Sequence, residues 1–510
     1  MLYQFNEFQR MALSPVRTGA QFQSQMLRSP FNPFSGTPQA QTLAAVYELF
    51  AETTQYHGKP EFGIDQTEID GTRVAVTEKI VFRKTFGQLK HFERDTKRKD
   101  PKVLIVAPMS GHFATLLRGT VETMIQNHDV YITDWRDASS VPLIDGKFDL
   151  DDYIDYVRDF LNFLGPNTHI MAVCQPGVPV TAAVALMSED NSPNLPLSMT
   201  LMGSPIDTRR HPTAPCKLAM DHSLEWFERT VIQYVPVVYP GAFRQVYPGF
   251  LQLGGFMSMN FDRHMEAHMN QFDHLVQGDG DSADKHRAFY AEYNAVMDLT
   301  AEYYLQTIET VFQKQALAKG EMMYRGDRPV NTAAITKTAL MTVEGELDDI
   351  SGIGQTVAAH DICSNLPQSM KAHYEQEGVG HYGVFNGRRF NSEIAPRISK
   401  FIRTYEPQAE RQLSLVPTLD VEARTPKKRT IAKKSAPKQM AKPKLKAVET
   451  KTPAKAKTSK KASAKKATTA KPSPVKKPLE TKPAASKVPR AKAATPAKVT
   501  AAKKPAKKKA

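Results

Sequence analysis

THIMAVCQPGVPVTAAVALM, residues 168–187, reads as a buried strand, a sharp turn and a helix. His169–Val173 supplies the strand, and the helix starts near Pro176, where a first-turn proline loses no hydrogen bond because that N–H is unpaired anyway. Small Ala172 and Gly177 flank the turn and relieve crowding. Cys174 sits between the two elements. A side chain on such a turn stands above the sheet beside the positive end of the new helix, a setting that favours a thiolate. Alone, a cysteine after an apolar strand is more often a small buried hydrophobe than a nucleophile, so its surroundings must decide.

Working outward, the same alternation recurs. Towards the N-terminus, KVLIVAP (102–108) is a short apolar run, MSGHFAT (109–115) a small-residue loop, LLRGTVETMIQN (116–127) helical and DVYITDW (129–135) a second strand. Asp149 is positioned to cap a helix whose apolar residues Leu150, Tyr153, Ile154, Val157, Leu161 and Leu164 keep the helical period. Beyond it come LSMTLMGSPID (197–207), ALMTVEGELDD (339–349) and HYEQEGVGHYG (373–383), each a strand and turn, and the closing helix APRISKFIRTY (395–405). Strands alternating with helices specify an α/β protein with a parallel sheet covered on both faces.

Between about 215 and 331 the alternation is lost in a Met-, Phe- and Tyr-rich helical stretch, which reads as an inserted cap or lid. The division expected is an N-terminal extension (1–100), the first part of an α/β-hydrolase core (101–214), the cap (215–331), the second part of the core (332–410) and a disordered basic tail (411–510). Within the extension one helix is expected from about Gln41 to Thr54. Leu2, Phe5, Phe8 and Met11 recur at three-residue spacing, which suits a helix face against the body or another surface.

At 510 residues the chain exceeds one ordinary hydrophobic core. Its net charge of +15 conceals an asymmetry. Residues 421–510 hold 30 Lys and Arg against three acids, a net of +27; subtracting these from 68 and 53 leaves the first 420 residues with 38 basic and 50 acidic side chains, a net of −12. The tail has eleven Pro, no Gly and no aromatic residue, so it lacks the apolar surface to fold alone. Three scattered cysteines make no disulfide framework, which favours a reducing compartment. The opening MLYQFNEFQRMALSPVRTGAQF lacks the marks of a secretory signal, and no apolar stretch reaches the ~18 residues of a membrane span. A cytoplasmic location is expected.

Reactive groups of open α/β sheets gather at the carboxyl ends of strands. Cys174, Asp348 and His381 each follow a predicted strand, in the order nucleophile, acid, base found in α/β-hydrolases. In this reading His381 takes the Cys174 proton and Asp348 fixes the imidazole. The backbone N–H of Gln175 and one from Met109 or Ser110 would hold the oxyanion. Rivals stay open: Asp349 adjoins Asp348, Asp207 follows another strand, and Ser204 is a second possible nucleophile without a convincing helix after it. His264 and His268 in HMEAH share a helix face, but Glu266 is misplaced for a zinc motif. DGDSAD lacks the third acid and the glycine of a calcium loop, SGIGQT lacks the lysine of a phosphate loop, and His112 suits surface or substrate contact better than catalysis.

The blocks MLYQFNEFQR, KVLIVAPMSGHFATLLRGTVE, YITDWRDA, MAVCQPGVPVTAAVALM, MGSPIDTRR, VEGELDDISGIGQT and GVGHYGVFNGRRF together resemble the intracellular poly(3-hydroxybutyrate) depolymerases, over roughly residues 1–406. The resemblance implies a Cys–Asp–His triad at Cys174, Asp348 and His381, a thioester acyl-enzyme, water as second nucleophile, no metal or organic cofactor, and a polyhydroxyalkanoate granule surface as partner. Polyhydroxyalkanoate synthases, which share the triad, carry a G-x-C-x-G-G box where this chain reads AVCQPG. A granule–nucleoid adaptor with little catalysis is the remaining alternative. The tail departs from the family. Its Lys/Ala/Pro repeats resemble those of histone H1-type proteins and of certain granule-associated phasins. A polycation releases counterions on contact with phosphates, so residues 421–510 are expected to bind DNA without sequence preference and to associate the protein with the nucleoid.

Overall fold

The computed structural model of the protein describes residues 2–259 and 261–407. The tail, 411–510, lies outside the described residues.

A nine-stranded sheet carries the site. Its strands are β1 (Gln66–Ile69), β2 (Thr72–Arg83), β3 (Gly87–Arg94), β4 (Lys102–Val106), β5 (Asp129–Trp135), β6 (Thr168–Val173), β7 (Ser198–Met202), β8 (Ala339–Gly345) and β9 (Lys371–Gln376), in the spatial order β1-β2-β3-β5-β4-β6-β7-β8-β9. From β5 to β9 neighbouring strands are parallel. β6 and β7 are buried at every residue, because helices cover both faces of the sheet and leave no solvent side on which polar residues could alternate.

The wholly parallel sheet read from the sequence needs correction. β1, β2 and β3 pair antiparallel with one another, and β3 pairs antiparallel with β5, so the sheet is mixed and residues 66–94 of the expected N-terminal extension belong to it. Their signal is weak for a physical reason. β2 is an outer strand with most residues exposed, including Arg73, Glu78, Lys79 and Arg83, so it has no buried apolar run to read.

The helices follow local chemistry. Helix Leu150–Leu164 opens with a capping box: Asp149 accepts from the Asp152 N–H at 2.9 Å and Asp152 accepts from the Asp149 N–H at 2.9 Å. Its six periodic apolar residues are all buried. Helix Gly177–Glu189 is buried from Gly177 through Met187, sandwiched in the core rather than amphipathic. Between β7 and β8 the chain forms six helices of seven residues or more, Ala214–Asp221, Leu224–Val231, Gly249–Met259, Phe261–Gln277, Gly280–Tyr293 and Ala301–Thr307. A three-stranded antiparallel patch (Gln233–Tyr234, Gln245–Tyr247, Leu299–Thr300) accompanies them. Near the N-terminus, helices Leu2–Arg28 and Pro38–Thr53 pack on each other, and the second packs on Phe261–Gln277.

Candidate active site

Cys174 ends β6 in a left-handed conformation, φ +69°, which an ordinary side chain adopts only when its surroundings enforce it. The turn is held at both ends. The Cys174 N–H donates to the Met202 carbonyl at 2.7 Å, and the Gly177 N–H to the Cys174 carbonyl at 3.1 Å. Gly177 has no alternative, since a Cβ there would fall 2.4 Å from both side-chain atoms of Ser204.

His381 follows β9 and is buried. Its Nδ1 meets Asp348 Oδ2 at 2.8 Å, while Asp348 Oδ1 accepts from the N–H groups of Ile350 (2.9 Å) and Ser351 (2.8 Å). The carboxylate is therefore fixed at both oxygens, and its far side holds the imidazole. Cys174 and the same ring line one cavity and interact electrostatically. Burial pulls the His381 pKa down, but the Asp348 carboxylate and the Cys174 sulfur outweigh it, leaving the imidazolium favoured well above its usual range.

The structure separates the rivals. Asp349 is exposed and lines the outer recess. Asp207 is gripped by Arg209 at 2.7 and 2.8 Å, and that hydrogen bonding holds its carboxyl below the usual range. The Ser204 hydroxyl is buried and donates back to the Met202 carbonyl. Gln175 and Ser110 line the cavity above Cys174, whereas Met109 is buried beneath the loop and is not among the lining residues. Among the described residues, the backbone N–H groups of Gln175 and Ser110 donate to no protein acceptor.

The cavity holds about 150 Å³, with walls that include Leu116, Pro205, Phe256, Phe312 and Phe385. An outer recess of about 450 Å³ shares Phe256, Ile350, His381 and Tyr382 with it. The cap segment is stitched to the loop beneath, because Met297 N–H donates to Gly111 O at 2.7 Å and His112 pairs with Val296. His112 is not at the surface: it is buried, meets the Tyr293 carbonyl at 3.0 Å, and is pushed by burial down to about 4. It therefore presents a neutral ring to the cavity.

Two residues of the site had no legible signal. Gly203, φ +54°, lies under the His381–Asp348 pair, and a Cβ there would stand 3.1 Å from His381 Cε1 and 3.3 Å from Asp348 Oδ2. Tyr303, fully buried in the inserted segment, interacts electrostatically with Cys174, and burial pushes its phenol well above the usual range. The other motifs resolve as scaffolding. In SGIGQT, the N–H groups of Gly354, Thr356 and Val357 donate to Glu344, so a carboxylate of the chain itself fills the place of a phosphate. His264 and His268 pack on Tyr290, and among the described residues no group of three or more His, Cys, Asp and Glu side chains has the arrangement of a metal site.

Sheet order, the turn carrying Cys174, and the acid and base on later strand ends define the α/β-hydrolase class. Among solved structures the chain is similar to a putative lipase from Acinetobacter baumannii AYE (14% identity, 64% of this chain and 92% of that one, TM-score 0.35). It is similar also to a thermophilic esterase from Thermogutta terrifontis (12%, 65% and 99%, TM-score 0.35) and an α/β hydrolase from Penicillium sp. sh18 (12%, 65% and 99%, TM-score 0.37). No curated protein matches the chain by sequence. Residues 203–406 match the family model described as PHB de-polymerase C-terminus. It is a hydrolase.

Proposed function

We propose that the protein hydrolyses the ester bonds of a storage polyester, poly(3-hydroxybutyrate) or a related polyhydroxyalkanoate, with Cys174 as nucleophile, His381 as general base and acid, and Asp348 as the group that orients the imidazole. One observation carries this reading: a cysteine on a φ +69° turn opens into an apolar cavity beside a histidine whose Nδ1 is tied at 2.8 Å to a buried carboxylate. With Nδ1 so occupied, Nε2 is the nitrogen available to the thiol. The match over 203–406 spans both Asp348 and His381.

In the first half-reaction His381 takes the thiol proton as Cys174 Sγ attacks the ester carbonyl carbon. The negative oxygen is received by the N–H groups of Gln175 and Ser110. The C–O bond then breaks, His381 returns the proton to the departing alcohol, and a thioester remains. Water attacks that thioester, giving its proton to His381; the C–S bond breaks and the proton restores the thiol. An apolar wall suits a substrate of methyl-bearing ester units, and water is needed only at the second step.

The test is release of 3-hydroxybutyrate from amorphous granules by the purified protein beside Cys174→Ala. Product from the wild type alone supports the assignment. Equal release by both overturns the nucleophile. Granule binding without release by either favours the adaptor reading, and product incorporation into longer chains would favour a synthase. The basic segment, net +27 over 421–510, supports a second role as an electrostatic tether to DNA that would hold the enzyme, and its cytoplasmic granule, at the nucleoid. Deleting 421–510 should abolish salt-sensitive retention on DNA and leave ester hydrolysis intact; unchanged retention would refute it.

A further inference from the structure

Helix Leu2–Arg28 has its charge turned the wrong way for a solvent-exposed helix. It carries four charged residues, and all four face the body. Arg10 pairs with Glu7 at 2.6 Å and lies 3.3 Å over the Tyr56 ring; Arg17 donates to the Thr54 carbonyl at 2.8 Å; Arg28 pairs with Glu48 at 2.9 Å and donates to the Leu275 carbonyl. On the same inward side, the buried Tyr3 hydroxyl donates to Asp298 at 2.6 Å. At 3.6 residues per turn, Phe5, Phe8, Val16, Phe22 and Met26 fall together on the opposite side. Each is more than half exposed, Phe8 at 64%.

The outward face is thus apolar and uncharged along a helix roughly 40 Å long. The turn after it adds Phe31, 95% exposed. The Phe261–Gln277 helix, linked to this one through Pro38–Thr53, shows a second exposed stripe of Phe261, Met265 and Met269. The other face of that helix lends Arg263, His264 and Ala267 to the recess outside His381, so the helix that carries the second stripe also borders the site.

We propose that this face adsorbs the protein onto the amorphous polyester surface itself, resting on the polyester-hydrolase reading above and adding to it the surface that brings the enzyme to an insoluble substrate. Charge selects the occupant. Helices that lie on phospholipid membranes hold the headgroups with outward Lys and Arg. Here every arginine of the helix is engaged inward, and the first 420 residues are net −12, from 38 basic and 50 acidic side chains. A protein partner would be set in register by a polar rim and about one hydrogen bond per 100–200 Å². The stripe offers no charged rim, whereas a polyester surface presents methyl groups and weak carbonyl acceptors and requires none.

The experiment uses the full chain and the triple variant Phe8→Gln/Phe22→Gln/Met26→Gln. These side chains are exposed, so the fold does not depend on them, and turnover of a soluble 3-hydroxybutyrate oligomer reports the integrity of the pocket. Adsorption to surfactant-free amorphous poly(3-hydroxybutyrate) particles is measured at low salt and at about 1 M salt, where electrostatic contacts of the basic segment are screened. The variant should adsorb at least roughly ten-fold more weakly at both salt concentrations, because three sizeable apolar contacts are lost. It should hydrolyse particles correspondingly slowly while turning over the soluble oligomer like the wild type. Unchanged adsorption overturns the proposal. So does equal wild-type affinity for neutral phosphatidylcholine vesicles, or a wild-type dimer that the substitutions dissociate without affecting adsorption. If the wild type hydrolyses neither substrate, the enzyme reading fails, and the adsorption comparison still decides the surface.

Discussion

Gly203→Ala tests whether the His381–Asp348 pair needs the space beneath it. Gly203 ends β7 at φ +54°, donating its N–H to the Val343 carbonyl at 2.9 Å, so the backbone is held and cannot rotate away. An alanine in this left-handed region costs about 1–2 kcal/mol. The new methyl would also meet His381 Cε1 at 3.1 Å, His381 Nδ1 at 3.3 Å and Asp348 Oδ2 at 3.3 Å, inside ordinary van der Waals contact. The ring and the carboxylate must each give by a few tenths of an ångström. Since misplacement of reacting groups by about 1 Å costs ~100-fold, a smaller displacement should lower kcat/KM roughly 10- to 100-fold. Gly71→Ala is the control: it has φ +78° and nothing within 4 Å of the new methyl, so it shares the backbone cost without crowding the site. Thermal unfolding and hydrolysis of a soluble 3-hydroxybutyrate oligomer, measured on both variants, separate the effects. Similar stability losses with a rate loss only in Gly203→Ala are expected. A Gly203→Ala rate within two-fold of wild type would refute the claim that this glycine sets the geometry of the pair.

Asp348→Asn should lower kcat by about 10³–10⁴, because it removes the carboxylate that fixes the ring's tautomer, and His381 should titrate at lower pH once that partner is gone; a pH–rate profile and the histidine NMR titration check both. Glu344→Gln should cost roughly 2–3 kcal/mol in denaturant unfolding, since the amide group turns a donor towards N–H groups that a carboxylate accepted. Asp298 gives a pH signature. Burial, reinforced by Asp137, pushes its carboxyl up to about 8 from 3.8, so its contribution to stability is complete below about pH 4 and is lost as pH rises through about 8. The Tm difference between wild type and Asp298→Asn should therefore shrink steadily from acid to alkaline pH, and a constant difference would contradict it.

The legible parts of this protein were those in which local and tertiary preferences agree. The capping residues Asp149 and Asp152 precede a helix whose apolar period survives intact, and β4, β6, β7 and β8 are apolar enough to declare themselves. Cys174 and Asp348 were visible as candidates because each follows such a strand, and His381 because it sits between glycines in the loop after the polar β9. β2 was invisible because an exposed strand tolerates Arg, Glu and Lys on its solvent side, and β3 because it buries Lys90 and Arg94, paired with Glu78 and Asp100, among its apolar residues. Ser204 and Asp207, open alternatives in the sequence, are separated from the pair only by their partners, Met202 and Arg209.

The sequence by itself determined the alternation of strands and helices and the segregation of charge between the first 420 residues and the last 90, since each depends on neighbouring residues alone. Tertiary structure decided which groups meet. Gly203 and Tyr303 join the site through contacts with residues far along the chain, and the four charges of helix Leu2–Arg28 turn inward because their partners, among them Glu48, Thr54 and Tyr56, lie on a different element. Helical period alone puts the apolar residues on one face; only the packing of that helix decides that this face is the one left to the outside.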